Sequence, residues 1–82
     1  RLARSLGILC LERGEHSRAV QLLIQASQGR ADDAELFYYL GVAQKASRAN
    51  KAARESFEKA LSLKLNEDLA AKAARELANL EN

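Results

Sequence analysis

The sequence predicts an all-α protein of about five helices arranged as antiparallel hairpins. Three observations carry this. The 82-residue chain is rich in Ala and Leu and contains no Pro, Met or Trp; Ala and Leu lose little or no side-chain freedom in a helix. Its apolar residues recur at helical spacings of three and four. The chain also repeats on itself. The shift that places Gly7 on Gly41 also places Leu2 on Leu36, Leu6 on Leu40, Ala19 on Ala53 and Ala26 on Ala60. Ile8 with Val42, Leu23 with Phe57, Arg30 with Lys64 and Asp32 with Asn66 are similar pairs in the same register. A further shift onto residues 67–82 yields no comparable identity.

The elements follow in order. Leu2, Leu6, Leu9 and Arg13 keep helical spacing until Gly14, which suits the left-handed residue that ends a helix. A second helix runs from about Ser17 to Gln28 with Ala19, Leu22, Leu23 and Ala26 on one stripe, and Gly29 closes it. Asp32, with Glu35 three residues on, has the spacing of a capping box for a third helix reaching about Ala46. Residues 47–50 form a turn, and Asn50 is placed to cap a fourth helix through Ala53, Phe57, Ala60 and Leu61 to Leu63. Asn66 caps a fifth to about Leu80, with Glu67 and Asp68 at its positive end and Lys72 and Arg75 further along. Its Ala70, Ala71, Ala74 and Ala78 are expected to lie on the preceding helix. Links of only a few residues imply antiparallel neighbours.

Composition bounds the function. Hydrophobic residues make up 48% and charged residues 29% of the chain, as in an ordinary globular domain. The net charge of +2 is spread over both signs in every segment, whereas a nucleic-acid binder gathers basic residues on one face. No apolar run approaches the ~20 residues that cross a bilayer. Cys10 is the single cysteine, so no intrachain disulfide can form, and a small chain without one tilts toward a reducing, cytoplasmic setting. The chain begins at Arg1 and enters a helical pattern at once, as a piece of a longer protein would.

These residues resemble the tetratricopeptide repeat, whose signature runs Leu-Gly-x-x-Tyr, then Gly, then Ala, Phe and Ala at helical spacings. Leu6-Gly7-Ile8-Leu9-Cys10 with Gly14, Ala19, Leu23 and Ala26 carries it in the first repeat, about 1–33. Leu40-Gly41-Val42-Ala43-Gln44 with Ala53, Phe57, Ala60 and Leu61 carries it in the second, about 34–66, and Phe37 takes the aromatic place before Leu-Gly. Cys10 and Gln44 replace the usual Tyr, Arg48 the turn Gly, and Ala31 and Leu65 the Pro that ends a repeat. The resemblance implies a right-handed α-solenoid forming one domain over 1–82, with a capping helix over about 67–82.

It also implies a protein-interaction module and not an enzyme. The first helix of each pair would line a concave groove presenting Arg1, Arg4, Ser5, Ile8, Leu11 and Glu12, then Glu35, Tyr38, Tyr39, Val42 and Lys45, then Lys72 and Glu76. Arg4, Ile8, Leu11, Tyr38, Tyr39, Val42 and Lys45 are the expected partner-binding set. Tyr38-Tyr39 is the centre of interest, because Tyr offers large contact area at low entropic cost. The competing reading has one tyrosine pack within the hairpin and shield the other. One subset of the family clamps a C-terminal carboxylate between Lys, Asn and Arg. Here Arg4 suits the first cation, but Ile8 and Tyr39 stand where Asn is needed, and Leu69 and Ala73 where the last cations are. An apolar–aromatic groove with a basic rim instead suits an extended or helical apolar segment carrying some acidic residues.

Catalytic and cofactor constellations are hard to assemble. His16 is the only histidine, and Cys10 nearby brings no third metal ligand. Cys10, on the interhelix side, reads as a buried, inert thiol. The four glycines are dispersed and form no phosphate loop. Glu12 with Glu15, and Asp32 with Asp33, are explained by capping and solvation. Alternatives to a groove-binding module are a structural end-cap or self-associating (homodimeric) segment of a longer solenoid, or the regulatory part of an enzyme whose catalytic domain lies elsewhere.

Overall fold

In the computed structural model, which describes residues 2–81, the chain forms five helices and no strand among the described residues. They are α1 (Leu2–Glu12), α2 (His16–Ser27), α3 (Ala34–Ala46), α4 (Asn50–Ser62) and α5 (Glu67–Glu81). Each helix packs on its neighbours in chain order, and α3 also touches both α1 and α5. The chain therefore has two helical clusters that meet at α3.

The same turn closes α1 and α3. Glu15 N–H donates to the Cys10 carbonyl at 2.8 Å and Gly14 N–H to Leu11 at 3.1 Å. Ala49 N–H donates to Gln44 at 2.8 Å and Arg48 N–H to Lys45 at 2.9 Å. These are the paired bonds of a Schellman end, which needs a left-handed residue after the helix. Gly14 supplies it at φ 80°, and Arg48 adopts it at φ 67° despite its Cβ. This turn also corrects the expected cap of α4. Asn50 is the first helical residue, Ala49 is the cap position, and no side chain bonds there. The tight turn takes the chain as far as Ala49 and leaves Asn50 already inside the helix.

Two further expectations change. Asp33, not Asp32, caps α3: its Oδ1 accepts from Leu36 N–H at 3.0 Å, and its other oxygen receives Arg4 Nε at 3.0 Å. Asp32 is exposed. In α5 the inward stripe is the half-buried Leu69, Leu77 and Leu80 with the buried Ala73; of the expected alanines Ala70 is half-buried, while Ala71, Ala74 and Ala78 face outward. The leucines pack against the second core cluster, and Ala73 is fully buried within it. Asn66 does cap α5, accepting from Leu69 N–H at 2.9 Å. The cap Asp33 and the buried Leu40 of α3 correspond in place to the cap Asn66 and the buried Ala73 of α5. That register is one position shorter than the shift that sets Gly7 on Gly41. The slip hides the correspondence from a fixed-period comparison.

The first core cluster joins Cys10 to Ala19, Leu23 and Ala26 of α2 and Leu36, Leu40 and Ala43 of α3. The second joins Tyr38 to Ala53, Phe57 and Ala60 of α4 and Ala73 of α5. Gly7 lies against Leu23, where a Cβ would fall 2.7 Å from two side-chain carbons. Gly41 lies against Phe57 in the same way, at 2.8–3.0 Å from three ring carbons. Cys10 is buried, and at the corresponding place of α3 Gln44 is buried with its Oε1 accepting from Ser56 Oγ at 2.5 Å. Burying that pair is tolerable because each satisfies the other.

These positions set the response to substitution. Gly41→Ala gains about 1 kcal/mol of helix propensity, yet it forces the fully buried Phe57 ring to move, and overpacking of that kind costs about 1–3 kcal/mol. Urea denaturation is expected to show a net loss for Gly41→Ala and for Gly7→Ala. Arg48→Gly removes a left-handed conformation that costs an L-residue about 1–2 kcal/mol, and its urea midpoint is expected to rise.

Candidate functional site: one face of α1, α3 and α5

Helical spacing puts Arg4, Ile8 and Leu11 on one stripe of α1, and Glu35, Tyr39, Val42 and Lys45 on one stripe of α3. Two sets of ion pairs bring these stripes side by side. Arg4 reaches from α1 to the start of α3, with Nε on Asp33 at 3.0 Å and an Nη on Glu35 at 2.5 Å. Lys45 at the other end of α3 pairs with Glu76 of α5. The Arg4–Glu35 and Lys45–Glu76 pairs have the same separation along the chain, so each ties one odd-numbered helix to the next.

The expected set divides into three kinds. Ile8, Leu11, Tyr39 and Val42 are half-buried: Ile8 and Leu11 rest on the first cluster, Val42 on the second and Tyr39 on both. They form an apolar floor that still meets solvent. Arg4 and Lys45 stand at its two ends, already engaged by carboxylates. Tyr38 is 9% exposed and belongs to the second core cluster. Its ring lies edge-on to Tyr39 at 5.3 Å and tilted on Phe57 at 5.9 Å. Tyr38 thus holds Tyr39 in place, and Tyr39 is the tyrosine that offers surface. Of the wider set, Ser5, Glu12 and Lys72 are exposed, and Arg1 lies outside the described residues.

Electrostatics sharpen this picture. The hydrogen bond to Glu35 raises the Arg4 pKa above the ordinary arginine value, against the opposing effect of partial burial. Burial raises the Tyr38 pKa, and the negative charge of Glu76 and the neighbouring Tyr39 add to it. A hollow of about 390 Å³ lies beside the floor, lined by Leu2, Arg4, Ser5, Arg30 and Asp33. Its charged groups pair with one another, Arg4 and Arg30 both meeting Asp33. Among the described residues no three His, Cys, Asp or Glu side chains gather where a metal could bind, and no helix is long and apolar enough to cross a membrane.

Sequence reasoning missed the ion pairs. The signal was present as opposite charges at one repeated separation, Arg4 to Glu35 and Lys45 to Glu76. Only a known packing of α1 on α3 and α3 on α5 makes that separation meaningful. Searches of family models, of curated proteins and of solved structures return no match for this chain.

The Tyr38 environment predicts a pH response. The folded state holds the phenol proton more tightly than the unfolded chain does. The stabilisation is therefore complete below the ordinary tyrosine value of about 10 and is lost as pH rises through the higher folded value. A spectrophotometric titration of phenolate absorbance is expected to show one of the two tyrosines ionising late. Tyr38→Phe is expected to remove that late phase.

Proposed function

We propose that this chain is a tetratricopeptide-like interaction module, a right-handed solenoid of two hairpins and a terminal helix, and that it binds a peptide or protein segment across the floor of Ile8, Leu11, Tyr39 and Val42. The observation that carries the repeat reading is the recurrence, in a single register, of one Schellman turn and one glycine-to-side-chain contact: Gly14 with Arg48, Gly7–Leu23 with Gly41–Phe57. The binding reading rests on the half-buried floor, a row of apolar and aromatic side chains packed from below and open above.

The partner would be recognised mainly by apolar contact. Arg4 and Lys45 already have carboxylate partners. An acidic residue of the ligand would therefore have to compete with Glu35 or Glu76 for them. Held in this way, the two cations act more as fixed walls at the ends of the floor than as free anchors.

Capture from a cell extract tests this. The chain is expected to retain a protein that the double variant Ile8→Ser, Tyr39→Ala does not, while circular dichroism of the variant keeps its helical signal. Equal capture by both removes the floor from the site. Removing a Tyr anchor at the centre of an interface costs about 2 kcal/mol or more, so binding should weaken at least tenfold.

A further inference from the structure

The outer side of α1 carries Leu2, Leu6 and Leu9 at 76%, 44% and 45% exposure. A single exposed leucine is ordinary, but three at i, i+4 and i+7 make a continuous apolar stripe on one helix. Their counterparts in the second repeat are Leu36, Leu40 and Ala43 of α3, at 0%, 4% and 0%. What covers those is visible within the chain. They share a cluster with Ala19, Leu23 and Ala26 of α2, a stripe of small, large and small side chains.

We propose that the Leu2–Leu6–Leu9 face is a docking surface for a partner's amphipathic helix of α2's kind. That helix would present a small–large–small stripe and run antiparallel to α1. The inference rests on the correspondence between α1 and α3 and is independent of the floor on the other side of the helix. A second copy is the poorer occupant. In a symmetric pair the same stripe would have to receive itself. Leucine would then face leucine, with no small residue to receive it. The face does impose one condition that α3 does not. Leu9 stands where α3 has Ala43, so the incoming helix must be small opposite its outer end.

The probe is α2's own sequence, residues 15–34, joined ahead of residue 1 so that a second α2 precedes α1 at the spacing by which α2 precedes α3. The extended chain is expected to melt about 5 °C or more above the original, and Leu6→Glu in the extended chain should abolish the gain. Leu6→Glu in the original chain sets the baseline, and because Leu6 is 44% exposed its melting should fall by less than the gain on extension. No gain on extension, or a gain that survives Leu6→Glu, overturns the proposal. So does sedimentation showing a dimer of the original chain that Leu6→Glu dissolves, because the occupant is then a second copy. Ile8→Ser, Tyr39→Ala should not alter the gain, which separates failure here from failure of the floor.

Discussion

Gly41 has no side chain, and the Phe57 ring occupies the space a side chain would take. Gly7 and Leu23 stand in the same relation. Everything else in the chain depends on these two close approaches. Leu23 and Phe57 are fully buried because a neighbouring helix backbone can come down onto them. Burying each is worth about 1.5–3 kcal/mol, which matters in a domain this small. Alanines at 19, 26, 53 and 60 are the complement: at 0–8% exposure they occupy the positions where a larger residue would hold the helices apart.

α3 is the member on which both clusters rest. Phe37 and Tyr39 are packed against each of them, and Lys59 of α4 lies 5.8 Å from the Phe37 ring centroid. A helix buried on so many sides cannot follow a simple amphipathic pattern, and Ala34, Leu36, Tyr38, Leu40, Gly41, Ala43 and Gln44 are all buried. The burial of Tyr38 follows from this position. It is the aromatic that turns toward α4 and α5, and its neighbour inherits the surface. The ion pairs of Arg4 and Lys45 fix how α1 and α5 sit against α3, so the width of the floor is set by charge as well as by packing.

The helices, their approximate ends and the buried thiol were legible because each depends on local spacing, whereas the residues of the floor came only from the family resemblance. Gly14 announced its left-handed turn, and Asn66 its cap. Arg48 stands in the turn-glycine place of the resemblance, but an arginine there gives no sign of a left-handed backbone. It adopts the same conformation only because the bonds from Ala49 to Gln44 and from Arg48 to Lys45 hold it there. Asp32 has the capping-box spacing to Glu35, yet both the cap bond to Leu36 and the contact with Arg4 fall on Asp33. In α5 the alanines drew attention as small residues, but the half-buried Leu69, Leu77 and Leu80 are what pack against the second cluster.

An all-helical chain with an internal repeat, Gly7 answering to Gly41, follows from the amino acids alone. Helix propensity, glycine placement and apolar period are local properties, and here they agree with one another. Folding in three dimensions settled the rest: which tyrosine is core and which is surface, which aspartate caps α3, and which cations are already paired. Those outcomes turn on which side chains meet across residues far apart in the chain, and no local pattern encodes that meeting.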